Sequence, residues 1–79
     1  MNEGQLRWQC RRGMCELDQL LLRYLENEYA ASDETQKSAF RELLQLPDPQ
    51  LIGYLLGGQT PVDSKIANVV SCIQDRARP

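Results

Sequence analysis

Apolar residues recur along the chain at three- and four-residue steps, and no stretch alternates at two. Leu17, Leu21, Tyr24 and Leu25 follow the 3.6-residue period of an amphipathic helix that starts near Met14 or Cys15. Leu20 widens the stripe, and the pattern fades around "YAAS". Before it, a shorter helix is predicted from roughly Glu3 to Arg12, with Asn2 as N-cap and Gly13 as the C′ residue. Leu6 and Cys10 share one face of that helix, and Arg7 and Arg11 align on another. Ser32 is expected to cap a third helix that carries Asp33 and Glu34 in its first turn, buries Phe40, Leu43 and Leu44, and stops at Pro47. A short fourth helix follows, with Asp48 as N-cap, Pro49 at the first helical position, and Leu51, Ile52, Leu55 and Leu56 as its apolar residues before Gly57-Gly58. Thr60 as cap and Pro61 as opener predict a fifth helix with Val62, Ile66, Val69, Val70 and Ile73 along one face. The expected fold is all-α, a compact bundle of five short helices forming a single domain over residues 1–79.

Size and charge narrow what such a bundle does. A chain of 79 residues leaves little room for a deep, water-excluding pocket, which favours a binding module over a self-contained enzyme. The net charge of −2 lacks the strongly basic profile of a general nucleic-acid binder. Charge is nonetheless uneven. Residues 1–23 hold four arginines against three acids, residues 24–63 hold Lys37 and Arg41 against seven acids, and the remainder holds Lys65, Arg76 and Arg78 against Asp75. A basic start over an acidic middle suits electrostatic complementarity to a partner protein, and equally an ordinary solvated surface. Three cysteines cannot all pair within the chain, and "LDQLLLRYL" is too short and too polar for stable membrane insertion. A soluble, reduced, cytoplasmic protein is expected.

No catalytic constellation is present. The chain has no histidine, and no serine or cysteine has an evident activating base. Glu16 and Asp18, two apart on a helix, point in different directions. Cys10 and Cys15 lack the further ligands that structural zinc requires, so no metal site is expected and the cysteines read as small buried hydrophobes. "RRGM" offers one glycine at a helix start, short of a nucleotide cradle, and no recognition helix for nucleic acid stands out. What remains is "CRRGMCELD", where Arg12 and Glu16 flank Gly13. Either the two charges pair across the turn, or the joint is a docking surface whose glycine lets a partner backbone approach.

"CRRGMCELD", preceded by Trp8, resembles the signature of the small FAD assembly factors of succinate dehydrogenase, the SdhE family, whose hallmark R-G-x-x-E is met by Arg12, Gly13 and Glu16. "ENEY" and "SDETQKSAFRELLQLPDPQLIGYLLGG", with its D-P-x-L element, extend the similarity over nearly the whole chain. The resemblance implies a five-helix assembly chaperone, not an enzyme. It would bind the flavoprotein subunit of succinate dehydrogenase, and the related fumarate reductase subunit, and promote covalent attachment of FAD to that partner's own histidine. FAD would belong to the partner, with no cofactor held tightly by this chain, which would be a monomer when free. Carried over by position, Arg12, Gly13 and Glu16 form the contact centre, Arg11, Met14 and Asp18 support it, and Trp8 with Arg7 border it. Trp8 and Met14 could equally serve packing. Cys15 stands where relatives often carry a basic or aliphatic residue, and the tail ending "RARP" is shorter than in some relatives. The lack of a transit peptide before Asn2 favours the bacterial cytoplasm. An antitoxin-like or regulatory partner of a membrane protein, a role also assigned to this family, is the alternative.

Overall fold

Leucine-rich, β-branch-poor segments with one apolar stripe each fold as helices that bury that stripe. The computed structural model describes the backbone of residues 3–77 and the side chains of residues 4–75. Among the described residues five α-helices follow one another: α1 (Glu3–Gln9), α2 (Cys15–Asn27), α3 (Glu34–Leu44), α4 (Asp48–Leu55) and α5 (Ser64–Ala77), with a 3₁₀ turn at Tyr29–Ala31. No strand occurs among the described residues. The molecule extends 28 × 27 × 27 Å, with a radius of gyration of 11.3 Å.

One core joins all five helices. Leu6 of α1 and neighbouring Cys10 meet Leu17, Leu21, Tyr24 and Leu25 of α2. Ala39, Phe40, Leu43 and Leu44 come from α3, Leu51 and Leu55 from α4, and Val69, Val70 and Ile73 from α5. Helix α5 packs against α2, α3 and α4, while α1 lies on α2. Phe40 is fully buried, with its ring centroid 4.8 Å from that of Tyr24 and 5.6 Å from that of Tyr29. Gln74 of α5 donates to the Tyr54 carbonyl at 3.0 Å and the Leu55 carbonyl at 3.3 Å, satisfying acceptors that the end of α4 leaves open.

The expected helices all form, but several boundaries differ, each for a local reason. The first helix ends at Gln9, not Arg12. The Cys10 N–H is shared between the Leu6 and Arg7 carbonyls, and the Arg11 N–H turns to Trp8, a tightening that closes the helix three residues early. Asn2, expected as its cap, lies outside the described residues. Asp33, not Ser32, caps α3, accepting the Gln36 N–H at 2.8 Å. Ser32 is already engaged, with its hydroxyl donating to the Glu28 carbonyl at 2.8 Å and 3.0 Å from the Tyr24 hydroxyl. In α4, Asp48 is the first helical residue and Pro47 the cap, one position earlier than expected. An equal shift of three residues concerns α5, which begins at Ser64 with Asp63 accepting the Lys65 and Ile66 N–H groups at 2.8 and 3.4 Å. Pro61 is buried in the preceding turn, and Val62, expected on the apolar face, is fully exposed. Gly58, at φ +77°, supplies the left-handed residue that reverses the chain after α4.

Candidate functional site

The connection between α1 and α2 gathers the residues that the sequence singled out. Gly13 has φ +61°, a conformation that costs other L-residues about 1–2 kcal/mol. Nothing lies within 4 Å of a Cβ built there, so the glycine is needed for its backbone and leaves open space above it. Met14 follows as the extended N-cap of α2, without a capping side chain. Asp18, one turn into α2, reaches back so that its Oδ1 accepts the Arg12 N–H at 2.9 Å. An acidic group near a helix start is favoured by the macrodipole, and here it also pins the linker.

Arg12 turns inward. Its Nε donates to the Gln9 carbonyl at 2.8 Å, its Nη1 to the Leu46 carbonyl at 3.0 Å and to Asp48 Oδ1 at 3.3 Å, and its Nη2 to the Leu44 carbonyl. The side chain is only 16% exposed. Leu44 ends α3 and Asp48 opens α4, so one guanidinium neutralises the negative end of α3 and spans the corner to α4. Gln45 strengthens the same corner, its Nε2 donating to Gln9 Oε1 at 3.2 Å. The cross-turn ion pair between Arg12 and Glu16, one of the two readings left open by the residues, is therefore not the arrangement adopted. Arg12 pairs instead with Asp48, and Glu16 stands exposed in the first turn of α2.

The other candidates divide sharply. Trp8 is 73% exposed in the last turn of α1, which removes it from the core, and Met14 is 36% exposed. Arg11 is exposed, as is Cys15. Arg7 is engaged, its Nη1 2.7 Å from Glu26 Oε1 in the final turn of α2. The structure thus brings Arg12, Gly13 and Asp18 together as the frame of the joint, and leaves Trp8, Arg11, Met14 and Glu16 displayed along it. Sequence reasoning missed the far side of the frame: the Leu44 and Leu46 carbonyls and the Asp48 carboxylate. Backbone acceptors leave no sequence mark, and the one available signal was the pairing of the R-G-x-x-E stretch with the D-P-x-L element that holds Asp48. Two shallow clefts, one lined by Thr60, Pro61, Val70 and Gln74 and one by Glu34, Arg41, Glu42 and Lys65, involve none of these residues.

The three cysteines differ in environment: Cys10 is buried, Cys15 exposed and Cys72 half-buried. Burial pushes the Cys10 thiol from 9.0 up to about 11, opposed in part by the positive charges of Arg12 and Arg7. Because the folded thiol holds its proton longer than the unfolded one, its contribution to stability is complete below pH 9 and is lost as the pH climbs through about 11. At neutral pH a thiol reagent should modify Cys15 fastest, Cys72 more slowly and Cys10 only on unfolding. Mass spectrometry of partially labelled native protein checks this, and Cys10 labelling as fast as Cys15 would contradict the packing. Among the described residues no group of three or more His, Cys, Asp or Glu gathers to hold a metal, and no helix is long and apolar enough to cross a membrane.

Comparison with known proteins agrees with the signature. The family described as the flavinator of succinate dehydrogenase (Sdh5) matches residues 4–77. The chain is 43% identical over 70 residues to the FAD assembly factor SdhE of Coxiella burnetii, covering 89% of this chain and 85% of the relative. It is 39% identical over 75 residues to its counterpart in Yersinia pseudotuberculosis, covering 95% of this chain and 85% of that protein. With the SdhE of Shewanella oneidensis the identity is 37% over 79 residues, 100% of this chain and 96% of the relative. With the motif, the helical fold and these similarities in agreement, the chain belongs to the SdhE family of FAD assembly factors, the flavinators of succinate dehydrogenase.

Proposed function

We propose that this protein is an assembly chaperone that docks through its α1–α2 joint onto the flavoprotein subunit of succinate dehydrogenase and promotes covalent attachment of FAD there. The observation that carries the reading is the display of Trp8, Arg11, Met14 and Glu16 on a joint that Arg12, Gly13 and Asp18 hold in place, in a chain of this family. Trp and Arg are the residues most enriched at binding hot spots, and a tryptophan left 73% exposed on so small a domain gains by being covered. Arg11 and Glu16 add charges of both signs, which fix orientation more than they add affinity.

FAD itself is assigned to the partner. A dinucleotide needs backbone N–H groups converging on its pyrophosphate, whereas the first turn of α2 presents Glu16 and Asp18, whose charge repels one. On this reading the cofactor stays with the partner. The reacting histidine also falls to the partner, since this chain has none. The contribution of the chaperone is positional: holding the flavoprotein so that its own groups stay near reacting distance, a form of assistance worth several kcal/mol when geometry is fixed.

The combination of Trp8→Ala and Glu16→Arg should leave the helical spectrum intact, because neither side chain has a hydrogen-bond or ion-pair partner among the described residues. It should cut the in-gel fluorescence of covalent flavin on the co-expressed flavoprotein at least tenfold. Undiminished fluorescence with the double variant sinks the proposal. The same assay with a fumarate reductase flavoprotein measures client preference.

A further inference from the structure

We infer that the two adjacent arginines have separate tasks: Arg12 is a positioning residue that locks the α1–α2 joint onto the α3–α4 corner, and Arg11 is the arginine offered to an acidic group on the partner. The inference rests on the docking reading of the joint and assigns roles within it.

Donor geometry carries it. A guanidinium has five N–H donors, and two parallel ones are needed to grip a carboxylate as a fork. In Arg12, Nε serves Gln9, Nη1 serves both Leu46 and Asp48, and Nη2 serves Leu44. One Nη2 N–H is left, on a side chain that is 16% exposed. Arg12 therefore cannot present a fork outward without first abandoning acceptors at the end of α3, which would then lose their partner in a half-buried setting. Its backbone N–H is also committed, to Asp18. Arg11 is the opposite case. Its backbone closes on Trp8, but its side chain is exposed and no donor of its guanidinium is engaged among the described residues. Along the chain it lies between the exposed Trp8, three residues before it, and Gly13, two residues after it, which has open space above it. Such an unengaged guanidinium can grip a carboxylate on the partner as a two-bond fork.

Arg12 acts through what it holds. Freeing the Gln9 carbonyl loosens the residue next to Trp8, and freeing Leu44 and Leu46 uncouples the linker from α3. Binding then weakens because fewer molecules hold the joint in the competent arrangement, not because a contact to the partner is missing.

The test compares Arg11→Gln, Arg12→Gln and Arg12→Lys in two measurements. The first is on the free chain: thermal midpoint, and the emission of Trp8, the sole tryptophan. The second is affinity for the flavin-free flavoprotein subunit across a salt series. Arg11→Gln should leave the free chain unchanged, weaken binding about tenfold, and make it less salt-dependent, since an exposed interfacial charge is screened. Arg12→Gln should lower the midpoint, shift Trp8 emission and weaken binding with the salt dependence unchanged, and Arg12→Lys should recover part of each. The inference is overturned if Arg12→Gln leaves the free chain as it was while flattening the salt dependence, or if Arg11→Gln binds like the wild type. If the wild-type chain fails to bind the flavoprotein, the docking reading falls and the Arg11 role with it. The free-chain measurements still decide the role of Arg12.

Discussion

Replacing Phe40 with alanine is expected to remove most of the stability of this protein. The ring is fully buried between Tyr24 and Tyr29, and deleting such a side chain typically costs about 3–5 kcal/mol. Native domains are stable by only about 0.05–0.15 kcal/mol per residue, so a 79-residue chain has little to spare. Tyr24 and Tyr29 lose their shared partner, and their hydroxyls, held by Ser32 and Arg41 at 3.0 and 2.9 Å, limit how far either ring can move to fill the cavity. Urea denaturation and thermal melting read the effect. The midpoint should fall by more than about 12 °C, whereas Phe40→Leu, which refills part of the volume, should fall much less. A loss below about 1 kcal/mol, small against the usual cost of such a deletion, would mean that the core is not centred on this ring.

Gly13 should show the largest functional effect for the smallest chemical change. Gly13→Val places a β-branched residue at φ +61°, and the strain, about 1–2 kcal/mol, comes from the backbone alone because nothing lies within 4 Å of the new Cβ. Relief requires the linker to rotate, which disturbs Arg12 on one side and Met14 on the other. Asparagine tolerates this conformation far better. Gly13→Asn should therefore melt close to the wild type while its side chain occupies the open space through which the partner is proposed to approach. Covalent flavin on the flavoprotein should fall sharply with both variants, but stability only with valine. Equal stability losses for the two would show that something other than the positive φ selects glycine. Normal flavin attachment with Gly13→Asn would show that the partner does not come close at this point.

The sequence is a good guide to the helices here and a poorer one to their ends. The face of α2 was readable because Leu17, Leu21, Tyr24 and Leu25 obey one period, and burial follows the period directly. Boundaries failed where two signals competed. Before α5, Thr60-Pro61 reads as the start, but Asp63 supplies the cap, closer to the periodic apolar residues. At Ser32-Asp33 the serine was consumed by the preceding turn. Gly13, expected as the C′ residue of the first helix, instead sits at φ +61° in the linker beyond a helix that ends at Gln9, and Arg12 beside it bonds to acceptors more than thirty residues away. No local window contains both ends of that interaction. Nor does residue type distinguish Arg11 from Arg12: only the positions of the Leu44 and Leu46 carbonyls make one inward and the other outward.

The bonds from Arg12 also make the proposed docking surface depend on contacts formed late in the life of the chain. They close loops of 32, 34 and 36 residues, to Leu44, Leu46 and Asp48, and closing such loops costs entropy before any contact rewards it. During synthesis the R-G-x-x-E stretch emerges well before its anchors, which are the end of α3 and the start of α4. A nascent or partly unfolded molecule therefore carries every residue of that stretch yet lacks the framework that orders them. If the joint docks as proposed, a chain becomes competent to bind only once α3 and the start of α4 have folded.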